Sequence, residues 1–199
     1  MKIIGITGSI ASGKTTVASL IAGKKYPLFS ADTIVSNLYK KKNFNKILIK
    51  KFKLNSKEKI KDQIKLILKH NKNNFYKLES IIHPFVRKEM LIFLKKNKKR
   101  ISILEIPLLI ESKLNTHFDK LIFVNANKKL RLKRYLKKKG DKKTFILLNK
   151  RQLLPNLKKK ICDFTFNNNY SLAILTKNVK KFMKNYEWNF FRYWNYRAI

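Results

Sequence analysis

The sequence contains little cysteine, glycine, proline or acidic residue. A single cysteine, Cys162, in 199 residues excludes a disulfide framework and a cysteine-rich zinc site. Gly 5 and Pro 4 are too few for a collagenous, linker-rich or low-complexity chain. The longest uncharged apolar stretches run to about ten residues, whereas a bilayer-spanning helix needs about twenty. Because the apolar N-terminus also lacks a signal-peptide cleavage pattern, we expect a cytoplasmic protein without a membrane span.

The shortage of acids makes the chain strongly basic. It has 48 lysines and arginines against 11 acids, a formal net charge of +37, which is typical of nucleic-acid or membrane-surface proteins. However, only 7 of the 48 are arginine, which nucleic-acid sites favour for bidentate contacts, and the lysines are spread along the chain. Asn 20 and Ile 23 are enriched too, which indicates compositional drift of an AT-rich genome. We therefore expect no specific nucleic-acid partner, with a functional polyanion surface as the alternative.

Short apolar runs alternate with helical patterns, which predicts an α/β fold with a five-stranded parallel sheet. The predicted strands are 2–7, 26–30, 101–106, 120–125 and 163–167. The predicted organisation is a nucleotide-binding core (1–32, 99–136 and 150–186), a helical substrate-binding insertion (33–98), a lid (137–149) centred on the polar break 137–143, and an aromatic tail (187–199).

Several helix ends are predicted from capping residues and proline. Ser56 is expected to cap a helix that runs to about His70, and Asn127 to cap one that runs to Leu136. Pro84 is expected in the first turn of a new helix after a separate one at 74–82. A further helix is expected at 144–153, and Ser171 is expected to open the last helix, which would end near Tyr186.

The strongest chemical signal is the segment Gly8-Ser-Ile-Ala-Ser-Gly-Lys-Thr15. It fits the pattern G-x-x-x-x-G-K-[ST] and lies between a predicted strand and a predicted helix. In such a loop, backbone N–H groups and the helix dipole bind phosphate oxygens. Lys14 is expected to reach the β- and γ-phosphates, and the Thr15 hydroxyl to ligate Mg²⁺. The ATP-binding residues are therefore predicted to be Ala11, Ser12, Gly13, Lys14, Thr15 and Thr16.

Two acids follow predicted strands, where parallel sheets bind ligands. Asp32 ends the second strand and can accept a proton from an attacking hydroxyl, or it can cap a helix over 33–39. Glu105 ends the third strand and can hold a magnesium-bound water, as the acid of a Walker B strand does, or it can be an exposed strand-end carboxylate.

Cations flank the insertion and the lid. His83 and Arg87, one helical turn apart, can face a substrate phosphate, although a histidine satisfied by backbone is the alternative. Arg131, Arg134, Lys138 and Arg151 can stabilise charge on a transferring phosphoryl group, or they can lie on solvated helix faces. Cys162 is expected to be a small buried hydrophobic side chain. The aromatics of Trp188–Tyr196 are expected to pack on the core, with base stacking as the alternative.

Over about residues 1–170 the chain resembles the dephospho-CoA kinase family. The resemblance is carried by the following segments: IGITGSIASGKTTVA, SAD ending at Asp32, IIHPFVR (81–87), EIPLLIES (105–112), RLKR (131–134), and Gln152 followed by KKKICDFTFNNN (158–169). It implies a transferase that uses ATP and Mg²⁺ to phosphorylate the ribose 3′-hydroxyl of dephospho-CoA, giving coenzyme A and ADP. Another P-loop kinase, or a polyanion-binding protein on the same fold, is the alternative.

The resemblance also implies residue roles. Asp32 would be the base, Lys14 catalytic, Thr15 and Glu105 metal-binding, His83 and Arg87 on the substrate side, and Arg134 and Lys138 on the lid. Some positions depart from the family pattern: Ser9 and Ala11 replace glycines, Glu105 an aspartate, Lys138 an arginine, and Asn167–Tyr170 the ending D-N-N-G. An alanine at position 11 fits the loop only with a negative φ, which we therefore expect.

Overall fold

The structure, a computed structural model, describes residues 1–71, 73–98 and 101–195, and their side chains except those of 69–70 and 187–195. The chain forms two compact units. Unit 1 comprises Met1–Phe29 and the described chain from residue 101 onward, and unit 2 comprises Ser30–Lys98. No helix within the described ranges is long and apolar enough to cross a membrane.

The described residues form one five-stranded sheet, as the sequence predicts, and its strand order is β2-β3-β1-β4-β5. The strands are β1 (Lys2–Gly8), β2 (Leu28–Ser30), β3 (Ile101–Glu105), β4 (Lys120–Asn125) and β5 (Phe164–Asn167). β1 lies at the centre and pairs in parallel with β3 and β4, and β4 pairs in parallel with β5. In this register Ile6 is opposite both Glu105 and Ile122, so the carboxyl ends of the central strands meet at one edge.

The helices connect and cover these strands. They are α1 (Lys14–Ala22), α2 (Ala31–Leu38), α3 (Lys42–Phe52), α4 (Ile60–His70), α5 (Asn73–Lys96), α6 (Lys128–Lys137), α7 (Lys142–Lys150), α8 (Pro155–Ile161) and α9 (Leu172–Asn195), with a 3₁₀ turn at Asn115–His117.

The core of unit 1 lies between the sheet and helices α1 and α9. β1 and β4 are buried on both faces, and Ile4, Ile6 and Ile122 are fully inaccessible to solvent. α1 contributes Val17 and α9 contributes Val179 to the same cluster. Burial of aliphatic side chains at about 25 cal/mol per Å² is the main favourable term for such a core. It holds β1 firmly, and β1 is the strand that carries the glycine loop.

Unit 2 has a separate core made by its own helices. Leu38, Phe44, Leu48, Ile64 and Leu78 are buried there. The Phe44 ring makes edge-to-face contacts with Tyr39 and Phe85, with centroids 5.5 Å apart in each pair. The helical insertion therefore has apolar material to fold around.

Three predicted helix boundaries in this region are wrong. α4 begins at Ile60 rather than after Ser56, because Asn55 accepts a hydrogen bond from the Lys57 N–H (3.0 Å) and closes a turn there. α5 runs unbroken past Pro84, because buried apolar side chains before and after the proline outweigh one missing backbone bond. Asn127 is the N-cap residue of α6, as predicted, although its side chain makes no capping bond within the described chain; its backbone N–H donates to Asn169 Oδ1 (2.7 Å). α7 begins at Lys142 because Asp141 caps it, and it ends at Lys150.

At the last helix, Ser171 acts as predicted, since its Oγ accepts from the Ile174 N–H (3.4 Å). The backbone of α9 continues to Asn195 rather than ending near Tyr186. The predicted packing or stacking of the tail aromatics lies outside the described side chains, and residues 196–199 lie outside the described residues.

Candidate active site

A tight loop connects the end of β1 to the start of α1. Glycine is required at both of its ends: a Cβ on Gly8 would lie 2.4 Å from the Val124 carbonyl oxygen, and one on Gly13 would lie 2.3 Å from Asn168 Nδ2. Gly13 also has φ 96°, a left-handed conformation that glycine adopts readily. At these two positions the loop backbone therefore lies closer to Val124 and Asn168 than a residue with a side chain would allow.

Ala11 has φ 57°, so the expectation of a negative φ is wrong. A left-handed alanine brings its Cβ close to the following carbonyl oxygen, at a cost of about 1–2 kcal/mol. The strain is local and falls in the middle of the candidate phosphate-binding segment.

Thr15 and Glu105 meet at the base of the loop. The Thr15 hydroxyl at the start of α1 donates to Glu105 Oε1 at 2.7 Å. Glu105 ends β3 with none of its surface exposed, which excludes the alternative of an exposed strand-end acid. A hydroxyl oxygen and a carboxylate oxygen side by side form a pair of ligands that suits a hard cation such as Mg²⁺.

Lys14 and Thr16 begin α1. The Lys14 ammonium donates to the Ser9 carbonyl at 3.3 Å, and the residue is only 9% exposed. The lysine therefore lies along the loop rather than in solvent. Thr16 is exposed on the first turn of the helix.

Gln152 contacts the first half of the loop from the segment between α7 and α8. Its Oε1 accepts a hydrogen bond from the Ile10 N–H at 2.7 Å, and its Nε2 donates to the Gly8 carbonyl at 3.3 Å. Gln152 belongs to a segment that carries the family resemblance, but the sequence predicts no role for it. A lone glutamine 142 positions away along the chain carries no signal that it binds this loop.

Arg131 is buried behind the same loop, with 3% of its surface exposed, so the alternative of a solvated helix face is wrong for it. Its guanidinium donates to the carbonyls of Ala126 (3.0 Å) and Ile10 (3.3 Å) and to Asn149 Oδ1 (2.8 Å). Burial lowers the pKa of the Arg131 guanidinium from its ordinary value.

Asn168 contacts the second half of the loop and is itself held by Arg134. Arg134 Nη1 donates to the Asn168 carbonyl at 3.0 Å, and Asn168 Nδ2 donates to the Ser12 carbonyl at 2.9 Å. Asn168 follows β5 and is 7% exposed. Sequence reasoning placed Asn168 in a family-like ending without a role. Lys138, by contrast, is exposed at the end of α6, and Arg151 is partly buried at the end of α7.

Unit 2 contains the remaining predicted residues. Asp32 is exposed in the first turn of α2, but the helix begins at Ala31 with Ser30 as its N-cap, so a cap over 33–39 is wrong. His83 and Arg87 lie one turn apart on α5, His83 partly buried and Arg87 exposed. All three are therefore carried by the helical unit.

Comparison with known proteins gives one consistent result. The sequence model of the dephospho-CoA kinase family matches residues 2–173. A dephospho-CoA kinase of Fusobacterium nucleatum is 33% identical over 185 residues, which cover 90% of this chain and 96% of that protein. Two solved structures are similar. A Thermus thermophilus protein named TT1252 has a TM-score of 0.76 at 26% identity and covers 92% of this chain and 97% of its own. A dephospho-CoA kinase from Campylobacter jejuni has a TM-score of 0.61 at 28% identity and covers 92% and 96%.

Proposed function

The chain belongs to the dephospho-CoA kinase family, and from this premise we propose which of its residues carry out the reaction. The enzyme transfers the γ-phosphoryl group of ATP to the ribose 3′-hydroxyl of dephospho-CoA and releases coenzyme A and ADP. The observation that carries the assignment is the glycine loop between β1 and α1, with Thr15 hydrogen-bonded to Glu105 below it.

Residues Gly8–Thr15 bind the phosphates of ATP. The loop leads directly into α1, whose N-terminal dipole favours anions, and its two tightly placed glycines bring backbone N–H groups near the ligand. Lys14, which lies along the loop, adds a positive charge for the oxygens of the transferring group. Phosphoryl transfer depends mainly on such positioning and charge stabilisation.

Thr15 and Glu105 would hold Mg²⁺. The Thr15 hydroxyl oxygen would be a direct ligand, and the buried Glu105 carboxylate would bind a water of the ion or the ion itself. A bound Mg²⁺ neutralises charge on the β- and γ-phosphate oxygens. The role of the protein is to keep two oxygen donors within hydrogen-bonding distance of each other before the ion arrives.

Asp32 is the general base. As the new O–P bond forms, the acceptor hydroxyl loses its proton to the Asp32 carboxylate, and the bond between the γ-phosphorus and its bridging oxygen breaks to release ADP. Support comes from its place in the chain, two residues after β2, and from its exposure in a first helical turn. His83 and Arg87 on α5 supply the cationic contacts for the phosphates of dephospho-CoA, so unit 2 is the substrate-binding domain.

Asp32→Asn tests the base. Asparagine keeps the shape of the side chain and removes the proton acceptor, so kcat should fall about 10²–10⁴-fold while the Kd for ATP stays within about twofold. Asp62→Asn is the matched control, because Asp62 is also an acid in a first helical turn of unit 2. Wild-type turnover by Asp32→Asn, measured by coupled ADP release, would exclude the role of base.

Residues 137–149 act as a lid that carries Lys138, with Arg134 just before it. The connector between α6 and α7, in which Lys138 and Lys139 are exposed, is where such a movement would begin. Amide hydrogens of 138–143 should exchange rapidly in the free enzyme and at least about tenfold more slowly with ADP and dephospho-CoA bound. Equal exchange in the two states, read by mass spectrometry, would argue against a lid.

The enzyme works in the cytoplasm and has no specific nucleic-acid partner. The single cysteine is consistent with a reducing compartment, and the scarcity of arginine argues against base readout. The alternatives of another P-loop kinase or a polyanion-binding protein are not favoured, because the family match spans residues 2–173.

A further inference from the structure

The phosphate-binding loop contains two left-handed residues, and only one of them is glycine. Gly13 has φ 96° and Ala11 has φ 57°. Glycine adopts either sign of φ with little preference, whereas alanine prefers a negative φ by about 1–2 kcal/mol. If nothing opposed it, the loop would relax at Ala11 and lose its shape. Other contacts must therefore hold this conformation.

The peptide groups on both sides of Ala11 are hydrogen-bonded. The preceding carbonyl, that of Ile10, accepts a hydrogen bond from Arg131 Nη1 at 3.3 Å. The following N–H, that of Ser12, donates to the Ser9 carbonyl at 3.2 Å. A change in the φ of Ala11 would swing the Ile10 carbonyl relative to the rest of the loop and break the bond to Arg131.

The other side of Ile10 is held by Gln152. The Ile10 N–H donates to Gln152 Oε1 at 2.7 Å, and Nε2 of the Gln152 side chain donates to the Gly8 carbonyl at 3.3 Å. Gln152 therefore ties Ile10 to the end of β1. With Arg131 on its carbonyl and Gln152 on its N–H, Ile10 has little freedom to turn.

Arg131 is itself firmly placed. Its other hydrogen bonds go to the Ala126 carbonyl (3.0 Å) and to Asn149 Oδ1 (2.8 Å), and its guanidinium carbon lies 5.7 Å from the centroid of the Phe145 ring. Of these partners, Ala126 lies outside the lid segment 137–149, so the bond to its carbonyl holds the nearly buried side chain, 3% exposed, in any position of the lid.

Gln152 is supported through its neighbour. The Leu153 N–H donates to Glu111 Oε1 at 2.9 Å, and the same oxygen lies 2.7 Å from Lys158 Nζ. The chain that carries Gln152 is thus fixed by a buried ion pair.

We propose that Arg131 and Gln152 are positioning residues that hold Ile10 so that Ala11 stays in the left-handed conformation the phosphate-binding loop needs. They act through the loop backbone and compensate for a residue that is poorly suited to that conformation. The proposal rests on the assigned role of Gly8–Thr15 in binding ATP.

The test is a double-mutant cycle between Ala11→Gly and Gln152→Met. Methionine matches the length of glutamine but cannot make either hydrogen bond. With Ala11 present, Gln152→Met should raise the Kd for MgATP about tenfold, because about 1.4 kcal/mol is then needed to restore the loop at each binding event. In the Ala11→Gly background, the same change should raise the Kd no more than about twofold. Isothermal titration calorimetry with MgATP alone measures all four proteins.

A second cycle uses Arg131→Lys, which keeps the positive charge but loses the planar fork. It should weaken MgATP binding in the Ala11 protein and be rescued at least about threefold by Ala11→Gly. A loss of the same size in both backgrounds would mean that Arg131 does not act through Ala11, and the proposal for Arg131 would be wrong.

Gln63→Met is the matched control. Like Gln152, Gln63 in unit 2 makes two side-chain bonds to backbone: it accepts from the Asn55 N–H (2.9 Å) and donates to the Asn55 carbonyl (2.8 Å). It should leave the Kd for MgATP unchanged with either alanine or glycine at position 11. Urea unfolding of every variant checks that the folded state persists, and a merely structural role of Gln152 would lower stability without coupling to position 11.

The outcomes distinguish the positioning role of Arg131 and Gln152 from the ATP-binding role of the loop. Equal losses for Gln152→Met in the wild-type and Ala11→Gly backgrounds, or no loss in either, would overturn the proposal. Lys14→Ala, measured in the same way, tests the binding loop itself: if it binds MgATP as tightly as wild type, the assigned role of the loop fails. Loss of binding in Lys14→Ala together with an additive cycle would remove only the positioning role.

Discussion

At the scale of single residues, a buried ion pair between Lys158 and Glu111 supports the segment behind the phosphate-binding loop. Lys158 has no exposed surface, and the Glu111 side chain is 15% exposed. A buried pair contributes little net stability compared with apolar residues, but removal of one partner leaves an uncompensated charge. The pair therefore makes the position of Leu153, and of Gln152 beside it, sensitive to either side chain.

Lys158→Met should lower the free energy of unfolding by about 3 kcal/mol, because it leaves the Glu111 carboxylate without its cation. Lys158→Met combined with Glu111→Gln should recover most of this loss, since glutamine is neutral and still accepts from the Leu153 N–H. Urea denaturation of the three proteins measures the difference. A single variant as stable as wild type would show that Glu111 finds its compensation elsewhere.

At the scale of secondary-structure elements, the same aspartate contact recurs at the start of two neighbouring strands. Asp119 accepts from the Ile3 N–H and from Lys2 Nζ at the start of β1, both at 2.8 Å. Asp163 accepts from the Leu121 N–H and from Lys120 Nζ at the start of β4, again both at 2.8 Å. Each aspartate directly precedes the next strand, so each contact fixes the start of one strand against the start of its neighbour.

These contacts predict a pH dependence of stability. Partial burial raises the pKa of Asp119, but hydrogen bonds from Lys2 and the Ile3 N–H and attraction to Lys2 outweigh it, so the pKa is lowered overall. A carboxyl whose pKa is lowered in the folded state stabilises the protein at pH values above its pKa in the unfolded state, which is about 3.9. This stabilisation is lost as the pH falls through the pKa of the folded state. Asp119→Asn should therefore reduce stability at pH 7 and flatten its decline below about pH 4. Thermal unfolding at pH 7, 4 and 3 compares the two proteins, and parallel declines would contradict the assignment.

Helix ends were harder to predict than strands, and the reason is tertiary. Pro84 favours a helix start in the sequence, yet α5 passes through it because Phe75, Leu78, Ile82 and Met90 are all buried on the same helix. Asn127 is the N-cap of α6 as predicted, but its side chain makes no capping bond within the described chain. A proline in a helix interior costs about 3 kcal/mol, and the burial of the four apolar side chains of α5 offsets that cost.

At the scale of the whole molecule, the enzyme carries a net charge of +37, and both of its substrates are anionic. A field of this sign raises the encounter rate with anions and is screened by salt, with a Debye length of about 10 Å at 0.1 M. The charge thus favours substrate capture even if it arose from compositional drift.

The value of kcat/KM for dephospho-CoA should therefore fall at least about threefold between about 0.05 and 0.3 M KCl, with the larger change in KM. Sucrose at matched osmolality is the control and should have little effect.

Binding to two unrelated DNA duplexes at physiological salt should be weak and equal, with a Kd in the range of about 10⁻⁴–10⁻⁶ M. A salt-independent kcat/KM, or nanomolar binding to one duplex only, would contradict this account.

The sequence alone determined the sheet, the loop and the family. Short apolar runs separated by helical patterns have few alternatives to a parallel α/β sheet, and the spacing of Gly8, Gly13, Lys14 and Thr15 serves phosphate binding directly. The burial of Cys162, whose thiol pKa is raised to about 11 mainly by desolvation, was also predictable from residue type.

Only the tertiary structure decided what surrounds the loop. Gln152, Arg131 and Asn168 lie 121 to 156 positions from the loop residues they contact, and no local pattern records such a distance. The left-handed φ of Ala11 was unpredictable for the same reason: local sterics favour the negative value, and contacts from distant side chains hold the opposite one. Local preferences depend on a residue and its neighbours in the sequence, whereas long-range hydrogen bonds form only once the chain has folded.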